Sequence, residues 1–462
     1  MQAVVLSGGV GSRLWPASNK THPKPFMQMD DGQSLLQKSF IRAVKIQSIT
    51  NIITVTAHNL LPQTQIEYDK ASELLGKTIP LQYILEPSSK NTAAAIAIAA
   101  LFVHKNYGPD ETMLILPADH IISNQLSFEK AVIQAEKLAS NGNIVTFGMN
   151  PNKPESGYGY IEHEGNDVIR FVEKPSLELA KKYISKGNFL WNAGIFCFKA
   201  SSIIQEMRKY CPDIIQGAQR SIDASSCKKP NHLELDAFEF DAIPEQSIDY
   251  ALMEKSKNLK VISCDIGWKD IGNWSSLSEY CAVDHNGNNV KGNATLHNVS
   301  NCYIENSGQL LGVVGVHNLA IININNGFLV TNKQDSEEVR KIYSQLQNNA
   351  QNIQLFSWGS IKTVQENQGI KIKKIKINPR TSAKIDEYFD YSANWMIVQG
   401  ITQFTVNNKI STLRTNESNY IQAQDKFSIK NIGNDILIII TVQLDDYLFQ
   451  NDIMPYIEIN KV

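Results

Sequence analysis

The chain lacks any run of about 18 consecutive apolar residues, so no membrane-spanning helix is expected. It also lacks a basic-then-apolar leader: the first residues read directly as a strand, which argues against a secretory signal. An excess of either charge is missing too. Lys and Arg number 44 and Asp and Glu 46, for a formal net charge of −2. That balance gives no electrostatic reason to expect a nucleic-acid partner, so any nucleotide bound is a small substrate. The six cysteines (Cys197, Cys211, Cys227, Cys264, Cys281 and Cys302) show no CxxC pairing. Their scatter speaks against a disulfide framework or a zinc site and for reduced thiols in the cytoplasm. After His317 there is no histidine, and after Cys302 no cysteine.

What is present reads as a globular enzyme of more than one domain. With 462 residues, 42% hydrophobic and 19% charged, the chain is too long for one ordinary core. Over residues 1–150, apolar runs (AVVLSG, NIITVTA, LQYILEP, TMLILPADH, NIVTFGM) alternate with helix-like stretches. This alternation predicts an α/β fold, Rossmann-like, with a mostly parallel sheet. Ligands of such sheets sit at the carboxyl ends of strands. The texture changes near NGNNVKG, and we expect a catalytic domain over 1–285 and a small β unit plus helix over 286–350. NNAQN is a plausible linker. Residues 351–462 are strand-like throughout and predict a separate all-β barrel or sandwich.

The densest chemistry lies at the first strand end. Gly8, Gly9 and Gly11, followed by Ser12 and Arg13, form a turn whose N–H groups approach phosphate oxygens closely. Arg13 adds a planar charged fork and Lys24 a compact point charge. No lysine follows as a Walker loop requires, and Leu14 stands where a dinucleotide fingerprint needs its third glycine. Asp119, after the run TMLILPA, is placed to hold Mg²⁺, and Asp270 in GWKDIGNW offers a second carboxylate. Taken alone, Asp119 reads equally as a capped turn. Glu86-Pro87-Ser88-Ser89-Lys90-Asn91-Thr92 precedes an alanine-rich helix; Asn91 or Thr92 could cap it or meet a base and ribose. In ESGYGYI, FVEKP and FLWNAGIF, glycines beside aromatics permit close approach of a polar ring, or simply form packed turns.

The string GGVGSRLWP followed by PKPF resembles the signature of sugar-1-phosphate nucleotidyltransferases, and its RLWP form that of mannose-1-phosphate guanylyltransferases. EPSSKNTA, LPADH, FVEKP, FLWNAGIF and GWKDIGNW match the same family in order across roughly residues 1–350. Ser7, Pro25 and Ala118 depart from its usual pattern without removing a charge. The resemblance implies GTP and mannose 1-phosphate as substrates, Mg²⁺ on Asp119 and Asp270, and catalytic roles for Arg13 and Lys24. It implies nucleotide binding by Gly8, Gly9, Gly11, Ser12, Glu86, Asn91 and Thr92. It gives the sugar phosphate to Gly157, Tyr158, Glu173, Lys174, Asn192 and Gly194, with Asp249 a weaker candidate. Two other readings stay open: a nucleotidyltransferase using UTP or dTTP with glucose 1-phosphate, and a non-catalytic sugar-nucleotide sensor. A homo-oligomer is compatible with the sequence, which does not fix the oligomeric state.

The tail resembles the phosphomannose isomerase barrel, a metal-binding cupin, around Trp358-Gly359 and Trp395-Met396. At that family's ligand positions this chain has Asp386, Tyr388, Ala393 and Phe427. A barrel without zinc is therefore expected; Asp386, Glu387 and Asp390 remain as weak candidates for a hard cation.

Overall fold

Residues 3–7 are apolar or small on both faces, as a strand buried on both sides of a sheet must be. In the computed structural model they form, with Gln2, β1 (Gln2–Ser7). The structure describes residues 1–462 except 10, 21, 230, 325–326, 350–352, 357, 368–369, 380, 385–391, 424 and 445–462. It divides into two compact units, Met1–Tyr343 and Ser344–Val462.

In the first unit, β2 (Asn51–Ala57), β3 (Leu81–Glu86) and β4 (Thr112–Pro117) join β1 in the order β3-β2-β1-β4, all parallel. Helices α1 (Leu35–Lys45), α2 (Leu61–Leu75), α3 (Asn91–Tyr107) and α4 (Gln125–Ser140) make the crossovers. Alternation along β1 separates two cores: Val4 faces the alanine-rich α3, while Ala3 and Val5 face Phe40 and Phe128. Because its small side chains pack between the sheet and two later helices, α3 is apolar all round.

The parallel pairing expected from the sequence recurs beyond this half, between Ile144–Met149 and Leu259–Ser263, but antiparallel strands interrupt it there. Phe189–Lys199 runs antiparallel to both β4 and Ile144–Met149, and the hairpin Tyr160–Glu164/Asp167–Val172 closes that edge. Eleven strands thus form one mixed sheet. Phe189–Lys199 pairs on both sides far from its sequence neighbours, a tertiary choice that local apolar runs do not encode.

A two-stranded ribbon joins His120–Ile122 to Trp268–Asp270, with His120 opposite Asp270. The small β unit also belongs to the first compact unit. Its strands Asn289–His297, Tyr303–Val314 and Leu319–Ile324 are parallel, and Gly327–Asn332 returns antiparallel. A 3₁₀ turn, Lys333–Glu338, leads into helix Val339–Asn349, so the first two residues of the expected NNAQN linker are helical. No helix among the described residues is long and apolar enough to cross a membrane.

Past the end of that helix, the described residues of the second unit form a six-stranded and a four-stranded sheet. Trp395, Phe404 and Phe427 pack at its centre, Phe404 and Phe427 stacked 6.1 Å apart and Trp395 edge-on to Phe427 at 5.0 Å. Asp386, Glu387, Tyr388 and Asp390 lie outside the described residues.

Candidate active site

The glycine turn leaves β1 at its carboxyl end. Gly11 has φ +69°, and a Cβ there would stand 2.5 Å from Lys24 Cβ, so only glycine permits this approach. Ser12 opens a 3₁₀ turn that buries Leu14 and ends at Trp15, whose carbonyl accepts from Trp274 Nε1 at 2.9 Å. Lys24 is held against the back of the turn and is 6% exposed.

Lys24 Nζ contacts Asp119 Oδ2 at 2.7 Å and Asp270 Oδ1 at 2.8 Å. Asp119 comes from the end of β4, Asp270 from the ribbon, and the ribbon's pairing is what brings them together. Burial opposes the charge on Lys24, but the two carboxylates outweigh it and raise its pKa. Burial likewise opposes ionisation of Asp270, yet Lys24 and His120 hold its carboxyl below the usual carboxylate range. His120 was not singled out as a site residue from sequence. Its Nε2 lies 3.9 Å from each aspartate, and Trp268 Nε1 donates to its Nδ1 at 3.2 Å, fixing the ring. Desolvation lowers its pKa despite those carboxylates, favouring the neutral imidazole.

Two cavities flank this cluster. One, of about 410 Å³, is lined by Gly8, Gly9, Glu86, Asn91 and Thr92 and reaches Asp119. Glu86 is 8% exposed and burial pushes its carboxyl up to about 8. Neither Asn91 nor Thr92 caps α3, whose cap position is Lys90. Asn91 takes φ +66°, and Thr92 Oγ1 accepts from Ile248 N at 2.9 Å, tying down the segment that presents Asp249.

The other cavity, of about 230 Å³, is lined by Arg13, Gly157, Tyr158, Glu173, Lys174, Asn192 and Gly194. Lys174 Nζ bonds Glu173 Oε1 at 2.7 Å. A Cβ on Gly159 would come within 2.5 Å of Glu173 Oε2, so that glycine admits the carboxylate. Asn192 Oδ1 accepts from Thr146 and from Gly194 N, and its Nδ2 donates to Asp249 Oδ1 at 3.1 Å. Asp249 lines both cavities, and burial beside Glu173 pushes its pKa up to about 7. It begins a short π-helical turn, a feature frequent at functional sites. Tyr158 stands edge-on to Trp191 and Trp268, at 5.3 and 5.1 Å.

Gly11 and Ser12 line neither cavity; Gly11 instead admits Lys24. Arg13 points to the second cavity, where NH1 meets Glu337 Oε2 at 3.0 Å. Glu337 carried no motif and could not be found from the sequence.

A family model described as Nucleotidyl transferase matches residues 2–286, and one described as Mannose-6-phosphate isomerase C-terminal matches residues 345–458. Mannose-1-phosphate guanylyltransferase of Klebsiella pneumoniae is 34% identical over 468 residues, covering 98% of this chain and 97% of that one. The xanthan biosynthesis protein XanB of Xanthomonas campestris pv. campestris strain B100 is 33% identical over 464 residues, covering 98% and 97%. Among solved structures, a mannose-1-phosphate geranyltransferase of Thermus thermophilus superposes with a TM-score of 0.64 at 28% identity, covering 75% of this chain and 99% of that one.

Proposed function

The chain belongs to the nucleotidyl transferase family, among the mannose-1-phosphate guanylyltransferases, and from that premise we propose that it transfers GMP from GTP to α-D-mannose 1-phosphate, releasing pyrophosphate. The observation that carries the reading is the Lys24–Asp119–Asp270 cluster lying between two cavities of different chemistry.

The larger cavity suits the nucleoside. Burial keeps a proton on Glu86 below about pH 8; once it gives that proton up, the carboxylate accepts from the N1–H and N2–H of guanine, a donor pair that adenine lacks. Phosphates then lie along the Gly8–Gly9 turn, whose N–H groups serve them without a side chain in the way. The smaller cavity suits the sugar phosphate: Lys174 neutralises its charge, while Glu173 and Asn192 bond hydroxyls. The sugar-phosphate oxygen attacks the α-phosphorus in line, and pyrophosphate leaves. No protein nucleophile is required, because the substrate oxygen is already ionised. This chain's residues therefore act by positioning and by charge stabilisation. Arg13 stabilises the charge growing on the leaving pyrophosphate, and Lys24 neutralises charge at the α-phosphate. Trp268 and His120 keep the ribbon in place beneath both.

The acidic pair fits a hard divalent cation, since its two carboxylates already converge on one cationic nitrogen. Mg²⁺ takes one or two carboxylates and completes its shell with substrate oxygens and water. Asp119 and Asp270 would hold it, and it would supply charge neutralisation between the two phosphates. In this reading residues 1–285 carry the chemistry in the cytoplasm and 286–350 brace the signature loop. Residues 351–462 form a cupin-like barrel lacking metal ligands, kept for stability, oligomerisation or regulation.

The test is pyrophosphate release with mannose 1-phosphate and Mg²⁺, comparing GTP, ATP, UTP and dTTP. Release with GTP alone is expected. Release with another nucleotide discards the substrate assignment, and no release with any favours a sensor.

A further inference from the structure

Arg13 is the one charged residue of the signature turn, and its guanidinium already has a carboxylate partner. Its NH1 lies 3.0 and 3.2 Å from the two carboxylate oxygens of Glu337. Glu337 is itself fixed from the other side, where Asn273 Nδ2 donates to its Oε1 at 2.5 Å. Asn273 is not free to wander, because its Oδ1 caps helix Trp274–Tyr280 by accepting from Ser276 N at 2.8 Å. The carboxylate reaches Arg13 because the small β unit is docked on the signature loop. A Cβ at Gly327 would come within 2.5 Å of the Trp15 ring, and Lys20 N donates to Tyr343 OH at 3.1 Å.

The consequence is electrostatic. Glu337 puts a negative charge in the cavity that Arg13 and Lys174 line, which is the cavity read above as taking the sugar phosphate, so an Arg13 that is to serve the triphosphate must turn from it toward the Gly8–Gly9 turn. An entering polyphosphate must take Arg13 from Glu337. The exchange is cheap, because both partners are about half exposed, with side chains 43% and 56% accessible, and such pairs are weak. Phosphate oxygens offer the guanidinium a stronger, bidentate partner. We infer that Glu337 is a positioning residue of the small β unit: it parks Arg13 while the site is empty, yields it to the triphosphate, and takes it back as pyrophosphate leaves. This inference rests on reading Arg13 as the triphosphate-binding arginine.

A double-substitution cycle tests it, with inorganic tripolyphosphate and GTP as separate calorimetric probes on the full chain. Glu337→Ala is expected to tighten both ligands about two- to fivefold, the range set by an exposed ion pair. In the Arg13→Ala background the same change should have far less effect. In turnover the gain should appear as a lower KM for GTP, with kcat not raised. Glu337→Gln, which keeps the shape and the Asn273 bond, should move in the same direction and guards against a folding loss. Equal tightening with and without Arg13 would reduce Glu337 to a repelling charge and overturn the pairing. Weaker binding or no change would overturn it as well. The tripolyphosphate arm needs neither guanine nor sugar, so its failure is distinguishable from a wild-type enzyme that makes no pyrophosphate from GTP.

Discussion

The two compact units bury opposite things at their centres of interest. Around the site of the first, Lys24, Glu86 and Asp249 are withdrawn from water, and Asp119 and Asp270 lean on Lys24. In the interior of the second, Trp395, Phe404 and Phe427 fill the space with rings. Burying charge costs several kcal/mol per ion unless it is paired, and an apolar filling of equal volume is often as stable or more so. The first unit therefore carries a cost that folding alone does not explain, while the second has taken the stabilising option. Function is to be sought where the fold works against its own stability.

Five substitutions, in four tests, sharpen or break that contrast, from the largest expected effect to the smallest. Trp395→Ala should destabilise the barrel by about 3–5 kcal/mol through the cavity it leaves; a thermal melt that does not shift would deny the rings their structural role. Asp270→Asn, or Arg13→Ala in the same unit, should lower turnover by roughly a hundredfold or more. Circular dichroism should still show a folded protein, and near-normal pyrophosphate release would remove the residue from the mechanism.

Third comes pH. Burial holds the Glu86 carboxyl at about 8, against 4.5 unfolded. Between those values the native chain keeps a proton that the unfolded chain has lost, so stability falls as pH rises and levels off above 8. From pH 6 to 8 the wild type should lose about 2 kcal/mol relative to Glu86→Gln, at about 1.4 kcal/mol per unit. Parallel urea titrations of the two proteins would refute this. The smallest effect belongs to the barrel surface. Lys371 pairs with Glu366 at 2.6 Å, largely exposed, and Lys371→Ala should change stability by less than about 1 kcal/mol in a denaturant titration.

Much of the fold was legible in the sequence. The β1–β4 alternation with helices follows from apolar periodicity, and each expected strand and helix of the first 150 residues is present. The mixed half of the sheet was not legible, because register across distant strands leaves no local trace. For the site, the residue types were readable in each motif, but their meeting was not. Lys24 and Asp270 lie 246 positions apart and touch only because a two-stranded ribbon folds back. Thr92 read equally well as a helix cap, and the structure spends its hydroxyl on Ile248 N instead.

By itself the sequence determined which side chains are available: a glycine turn without a Walker lysine, carboxylates at strand ends, and a tail stripped of histidine and cysteine. These are covalent facts, and chemistry is limited by them. Only the tertiary structure decided which charges share one cation, that Asp249 belongs to both cavities, and that Glu337 stands against Arg13. Electrostatic interaction falls with distance and strengthens with burial, and both are set by packing rather than by the order of residues along the chain.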